Sequence, residues 1–371
     1  MAGSALPALT LLVPGLVPDG LRGGAGPCPA PGRPWLEGLE LGVLERWLGR
    51  GLPGPPPVAE GGLEALLGRL LGYPGGHPGP PALAVLLRAA EGLPRDGRWW
   101  LRAEPVHLKA EGPRLVVDER LPALGPAERE ALAGALAPLL EEAGLRLEPS
   151  PAGTWYLAAP EDPGLEATPP GELLGRELDP ARLPPGRRWR RLLTELQMLL
   201  HEHPVNRERR ARGLPPANAL WLWGAGREPP PPPAEAPFRA LWGGGEAARA
   251  LAAWAGVPAR PLPEGAVAWL EAREAAGPSP GLPRRPGGGG EELAVVEALS
   301  LPAALGRVEA WREALGALLE TWLAPLDRLL RAGALARLRL AHERGVLELD
   351  RRALRRWWRR RPFPGPWGAG C

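Results

Sequence analysis

The stretch Arg187 to Gly226 reads RRWRRLLTELQMLLHEHPVNRERRARGLPPANALWLWGAG, and its succession of helical and extended patterns decides the fold. Trp189, Leu192, Leu193, Leu196, Leu199 and Leu200 recur at the three-and-four spacing of one helical face, with Arg187, Arg190, Arg191, Glu195 and Glu202 on the other. Pro204 has no N–H and pushes His203 out of helical dihedrals, so the helix ends there. Asn206 is expected to cap a short turn from Arg207 to Arg212, which Gly213 closes. After the breaks at Pro215 and Pro216, Ala219-Leu220-Trp221-Leu222-Trp223 is apolar on both faces, the pattern of a central, covered strand in an α/β sheet. Ligands in such sheets bind at the carboxyl ends of strands. His203, Asn206, Arg209, Asn218 and the Gly224 to Gly226 turn are therefore expected to border one crevice.

Outward from this stretch the pattern is that of an α/β chain with an insertion. Leu9 to Val13 reads as a first strand, and the Gly/Pro-rich loop Pro14 to Pro34 after it offers only Asp19 and Cys28 as chemical groups. Helical segments are expected at Trp35 to Leu48, Gly61 to Leu71 and Pro81 to Glu91. Strands at Trp99 to Val106 and Arg114 to Val117, a helix at Pro126 to Ala143, and strands at Leu145 to Glu148 and Trp155 to Ala158 make a β-β-α-β-β subunit. Past the central stretch, Pro229 to Pro233 is a stiff spacer. Strands at Phe238 to Trp242 and Leu293 to Glu297 alternate with helices at Glu246 to Ala255, Leu301 to Leu319 and Thr321 to Ala332, before a hairpin at Ala336 to Leu340 and Gly345 to Leu349. The expected division is 1–97 as the first part of an α/β core, 98–160 as a small α+β subdomain, and 161–371 as the second part with a basic tail.

Composition bounds the function. A chain of 371 residues buries a sizeable core, and its 51 Pro and 51 Gly, with no isoleucine and Lys109 as the one lysine, fit a GC-rich coding bias more than a functional demand. A net charge of +3 gives no ground for a nucleic-acid partner. Two cysteines, Cys28 and Cys371, make neither a disulfide framework nor a metal cluster. The N-terminal apolar run lacks a basic n-region and is broken by Pro7, Pro14 and Pro18, so a buried strand is expected there and a cytoplasmic, soluble protein follows.

The chemistry-bearing residues are few enough to take singly. No Asp-x-x-x-His or Asp-His pair occurs, and His201 and His203 stand at a poor helical spacing for one ion, so no metal and no cofactor is expected. Arg207 and Arg209 beside His203 suit a small anion, because a guanidinium offers a fork of donors to phosphate or carboxylate. Glu104-Pro105-Val106-His107-Leu108 adds a second polar spot, with His107 within reach of a ligand. No Gly-x-Ser-x-Gly elbow is present, which removes the common nucleophilic hydrolases. In the tail, seven arginines between Arg351 and Arg361 surround Trp357 and Trp358, a composition that suits nucleic-acid phosphates or an anionic membrane surface.

The run His203-Pro204-Val205-Asn206, then Arg209, Gly213, Pro216-Ala217-Asn218 and Trp221-Leu222-Trp223-Gly224-Ala225-Gly226, resembles the matching segment of cofactor-independent phosphoglycerate mutases of the archaeal type, in the alkaline phosphatase superfamily. Glu104 to Leu108 and the Arg/Trp tail resemble a bacterial branch labelled phosphoglycerate mutase or RpfE-type regulatory protein. The resemblance implies an alkaline-phosphatase-like, mixed but mostly parallel sheet core. In active members it also implies a Ser or Thr nucleophile and two divalent metals that move phosphate between glycerate oxygens. The first strand of those enzymes ends in an Asp-Gly metal motif, whereas this one ends Val13-Pro14-Gly15-Leu16. The expectation is a degenerate, non-catalytic relative that binds a small anionic metabolite through His203, Asn206, Arg209, Asn218 and His107. The alternatives are an active metal-dependent mutase, and an adaptor for nucleic acid or membrane working through the tail.

Overall fold

The computed structural model describes residues 6–17, 36–54, 62–74, 82–112, 114–165, 168–175, 177–178, 186–276, 290–343, 345–356 and 358–363. Asp19, Cys28, His77, Asp179, Trp357 and Cys371 lie outside them. Two compact units are present, one formed by Met1–Tyr73 with Pro232–Cys371 and the other by Pro74–Pro231.

The first unit is built on a seven-stranded sheet of order β10-β9-β11-β1-β12-β13-β2. Its strands are β1 (Ala8–Leu12), β2 (Leu52–Pro53), β9 (Leu241–Gly243), β10 (Ala259–Arg260), β11 (Glu291–Val295), β12 (Arg337–His342) and β13 (Gly345–Asp350). The five from β10 to β12 run parallel, and β13 and β2 close the edge antiparallel. All five residues of β1 are buried, as a parallel strand covered on both faces demands. Helices α1 (Gly42–Arg50), α2 (Gly62–Leu70), α7 (Glu246–Trp254), α8 (Ala266–Ala275), α9 (Ser300–Ala304), α10 (Val308–Leu318), α11 (Ala324–Ala332) and α12 (Arg351–Leu354) belong to this unit, with a π-helical segment Leu319–Leu323 joining α10 to α11. Leu9, Leu11, Trp47, Trp269, Trp311, Leu323 and Leu338 stand at the centre of one continuous apolar core. The fold is a mixed α/β arrangement with a mostly parallel central sheet.

The second unit carries the antiparallel sheet β6-β7-β3-β8 and a separate hairpin β4-β5. The strands are β3 (Trp99–Val106), β4 (Leu108–Glu111), β5 (Arg114–Val117), β6 (Arg146–Pro149), β7 (Trp155–Ala159) and β8 (Ala219–Gly226), and the helices α3 (Leu83–Ala90), α4 (Pro126–Glu142), α5 (Arg187–Glu202) and α6 (Pro204–Ala211). The unit is wider than the 98–160 expected from the pattern, because β8 pairs with β3 and so draws α5 onto the same sheet, with α6 packed against α5 and α4. Leu192, Leu196 and Leu200, the expected stripe of α5, are buried in a core with Leu101, Leu132, Leu157 and Leu222.

The placing of β8 corrects the reading from sequence. It is an edge strand of an antiparallel sheet, not a central parallel one. Helix α3 packs against β8 and so does α5, so seven of its eight residues are buried. A strand covered on both faces reads as a continuous apolar run whichever way its neighbours point. The glycines at its end also differ from the expected tight turn. A Cβ on Gly226 would stand 2.2 Å from the Ala82 Cβ, and one on Gly224, whose φ is +65°, would stand 3.2 Å from the Ala84 nitrogen. These glycines let the start of α3 approach the strand.

Candidate functional site

The break between α5 and α6 is made by His203 and Pro204, but the cap differs from expectation. His203 is extended (φ −63°, ψ 137°), and its Nδ1 accepts a hydrogen bond from the Val205 N–H at 3.3 Å, which makes it the N-cap of a helix that already begins at Pro204. Burial, with Arg207 adding to it, lowers the His203 pKa and keeps the ring neutral and able to accept. Asn206 is thereby released from capping and points inward, with 0% of its surface exposed. Its Nδ2 donates to the carbonyls of Leu200 (2.7 Å) and Ala217 (2.8 Å), and its Oδ1 accepts from the Ala217 N–H (2.9 Å). One amide thus ties the end of α5 to the segment before β8.

Arg209 lies one turn further along α6, and 2% of its surface is exposed. Its Nε donates to the Pro215 carbonyl at 3.0 Å, and one terminal nitrogen donates to Ala123 O at 3.2 Å and to both carboxylate oxygens of Glu128 at 2.9 Å. Burial alone would raise the Glu128 carboxyl. The Gly125 N–H and the Arg209 guanidinium outweigh it and hold the group below the usual carboxylate range. Glu128 did not stand out in the sequence, although its place three residues after Gly125 at the head of α4 is the signature of a carboxylate that returns to the helix start, as it does here at 2.7 Å.

Asn218 completes the pattern. It forms a two-way amide bond with the main chain of Leu108, accepting from its N–H at 2.7 Å and donating to its carbonyl at 2.8 Å. Next to Leu108, His107 sits between β3 and β4 with Nε2 3.9 Å from Asp118 Oδ2, and Lys109 Nζ is 2.9 Å from the same oxygen. Burial lowers the His107 pKa; Asp118 and the Pro216 carbonyl pull the other way, while Lys109 and Arg120 add to the lowering. For Asp118, burial acts upward but is outweighed by the hydrogen bonds from Lys109 and the Arg120 N–H, so its carboxyl is held low.

Four of the five expected residues, Asn206, Arg209, Asn218 and His107, therefore gather around Leu214–Asn218, and His203 caps the helix that carries two of them. Asn206, Arg209 and Asn218 spend their bonds on backbone and on Glu128. The Gly224–Gly226 segment is not their neighbour: it lies at the far end of β8, roughly 20 Å away at about 3.3 Å per residue.

The carboxyl edge of the parallel sheet is where the resemblance would put two metals. There the chain turns at Gly15 (φ +74°), whose N–H donates to Glu343 at 2.8 Å, and a Cβ on it would stand 2.7 Å from the Leu299 carbonyl oxygen. Glu297, after β11, accepts from the Gly245 N–H at 3.3 Å. His342, at the end of β12, is fully buried, and that burial pushes its pKa down to about 3. Asp350 is not at this edge: β13 runs antiparallel and pairs Asp350 with Arg337 at the start of β12, where Asp350 caps α12 by accepting from the Ala353 N–H at 2.6 Å. Among the described residues no three His, Cys, Asp or Glu side chains converge on a point that would hold a metal ion. These residues do not fit a two-metal phosphotransfer centre, which needs several carboxylates and imidazoles around both ions.

Comparison with known proteins gives a partial match. The chain is 43% identical over 68 residues, 18% of its own length and 17% of the relative's, to the 2,3-bisphosphoglycerate-independent phosphoglycerate mutase of Methanothrix thermoacetophila. It is 35% identical over 80 residues to the protein of the same name from Methanosarcina barkeri. It is 36% identical over 69 residues to a probable one from Geobacter sulfurreducens. The chain is phosphoglycerate-mutase-like over a segment. That segment spans less than a fifth of the curated relatives' length. No family model matches the chain. Among solved structures, the cofactor-independent phosphoglycerate mutase of Thermoplasma acidophilum superposes with a TM-score of 0.39 at 18% identity, covering 93% of this chain and 90% of that one. A protein from Pyrococcus horikoshii gives 0.41 at 13% identity, covering 93% and 87%. Superpositions at these scores carry no weight of their own. Among the described residues no helix is long and apolar enough to cross a membrane.

Proposed function

We propose that this is a phosphoglycerate-mutase-like protein, of the alkaline phosphatase superfamily, that does not interconvert phosphoglycerates and acts instead as a regulatory protein binding a small phosphorylated or carboxylated ligand. The observation that carries the reading is the use to which the carboxylates at the sheet's carboxyl edge are put. Glu343 and Glu297 accept from the backbone of Gly15 and Gly245, and His342 is buried and uncharged, so these groups serve the turns that follow the strands. The resemblance to the RpfE-type branch points the same way.

On this reading the ligand contacts fall to His107, one of the five expected residues and one with a spare donor, and to its neighbour Lys109, which was not among them. Asn206, Arg209 and Asn218 are consumed in holding Leu214–Asn218. His107 and Lys109, the latter with 43% of its side chain exposed, stand beside that segment with donors turned to solvent or to Asp118. An ammonium and an imidazole N–H beside the buried Asp118 carboxylate suit a mono- or dianion that takes the place of the longer of the two contacts, the 3.9 Å one from His107.

Isothermal titration of the full chain with 3-phosphoglycerate in metal-free buffer tests this. Saturable binding that weakens at least tenfold in Lys109→Met and in His107→Asn, with the fold intact by circular dichroism, is the expected result. Binding that requires added divalent metal and is indifferent to both variants would contradict the reading.

A further inference from the structure

We infer that the described residues 351–356 and 358–363 form a fixed basic ridge on the first unit that binds single-stranded nucleic acid, a role independent of the small-ligand reading above. The whole-chain charge of +3 gives no hint of it, because the arginines are concentrated and their counter-charges lie elsewhere.

Four features fix the ridge to the fold. Asp350 caps α12 through the Ala353 N–H, and buried Arg50 of α1 donates to the Leu354 carbonyl (2.9 Å) and the Arg359 carbonyl (3.3 Å). The Arg361 N–H donates to Glu45 O at 3.1 Å. Phe363 is 1% exposed within the main core. Gly49 then allows the closest approach, since a Cβ there would stand 2.6 Å from the Arg360 Cα. The described residues of the segment are thus held in place before any partner arrives, which lowers the entropic cost of binding.

What the ridge presents is charge without counter-charge. Arg351, Arg352, Arg355, Arg359, Arg360 and Arg361 are exposed and Arg356 half-exposed. Among the described residues none of the seven takes part in an ion pair. Arg46, Arg331 and Arg360 also bear on Arg50: burial is the larger cause of its lowered pKa, and their repulsion adds to it. Asp327, which pairs with Arg46 and Arg331, is the acid that answers this group. A linear polyanion relieves such crowding, and each phosphate it brings releases condensed counterions.

Trp358 decides between polyanions. Trp358 is 64% exposed, and it is the one large apolar side chain among the described residues of the ridge that is exposed. A flat indole among guanidinium groups suits an unpaired base, which stacks on the ring while the arginines track the backbone. Insertion into an anionic membrane uses a wide apolar helix face, and α12 has four residues, of which the apolar pair Ala353 and Leu354 is buried.

The test is fluorescence anisotropy of a labelled oligothymidylate of about 20 nucleotides, titrated with the full chain across a salt series. Expected are saturable binding and a log–log salt slope of about −0.7 per phosphate neutralised. Arg355→Gln/Arg359→Gln/Arg360→Gln should weaken binding about tenfold or more and flatten that slope. Trp358→Ala should weaken it about fivefold or more with the slope unchanged. The control Arg187→Gln/Arg190→Gln/Arg191→Gln removes equal charge from the exposed face of α5 and should have little effect. No binding at about 50 mM salt, where phosphate contacts are strongest, overturns the inference. An equal loss in the control does so too, as does binding to phosphatidylserine vesicles in place of the oligonucleotide.

Discussion

Replacing Arg209 by Met removes the cation at the centre of the loop-holding network while leaving a side chain of similar length on α6. Glu128 then keeps one partner, the Gly125 N–H, and the carbonyls of Pro215 and Ala123 lose their donor. Removing one member of a buried ion pair typically costs about 3–5 kcal/mol. Glu128 retains 25% of its side-chain exposure, so water recovers part of this and a loss of about 2–3 kcal/mol is expected. The chain has two units and need not melt in one step, so the assay is hydrogen exchange resolved by peptide, not a single melting temperature. The Ala217 N–H, which bonds Asn206, and the Asn218 N–H, which bonds the Val106 carbonyl, should lose protection roughly thirtyfold or more. Peptides from β1 and β12 in the other unit should not change. Adding Glu128→Gln should recover part of the loss, because the stranded charge is gone. The pH dependence has a definite sign. Glu128 titrates lower in the folded chain than unfolded, so its stabilisation is complete above the unfolded carboxylate value of about 4.3 and fades as pH falls through the folded one. The gap between wild type and Arg209→Met should therefore close in acid. A cost below about 0.5 kcal/mol, with Ala217 and Asn218 as protected as before, would refute the reasoning.

Three further outcomes follow from the same geometry. Asn206→Leu fills the same space but leaves both main-chain groups of Ala217 without their Asn206 partner at a fully buried site and the Leu200 carbonyl with only the His203 N–H, so it should cost about 3 kcal/mol in urea unfolding followed through the second unit. Gly226→Ala sets a methyl 2.2 Å from the Ala82 Cβ and should cost about 1–3 kcal/mol, whereas Gly134→Ala, in mid-α4 with nothing within 4 Å, should gain about 0.5–1 kcal/mol. His342 is held neutral by burial, with a folded pKa of about 3, below its unfolded value. Its contribution is full above about pH 6.5 and is lost towards pH 3 at up to about 1.4 kcal/mol per pH unit, a slope that His342→Leu should flatten in acid titrations of the first unit.

The sequence carried the elements further than it carried their arrangement. The stripe of α5, the break at Pro204 and the hairpin β12–β13 were legible because periodicity and proline act locally. The assignment of β8 to the wrong sheet was the main error, since an apolar run records burial on both faces and says nothing about the direction of its partner. The helix of α8 and the short strand β4 were not anticipated with their true bounds, because each is fixed by packing beyond its own residues. The candidate site shows the same limit. The residue types in Asn206, Arg209 and Asn218 suit an anion and suit a backbone carbonyl equally well, because both offer oxygen acceptors. Only the positions of Ala217, Pro215 and Leu108 show which acceptor, or which amide pair, each side chain meets. Glu128 lies 81 residues from Arg209 in the chain, a separation at which pattern gives no pairing.

Phosphorus NMR of the full chain with 3-phosphoglycerate and manganese puts the non-catalytic reading to the most direct trial. The account predicts that the substrate resonance persists unchanged on the timescale at which an active mutase equilibrates it. Growth of the 2-phosphoglycerate resonance in proportion to protein, and its loss on chelation of the metal, would contradict it.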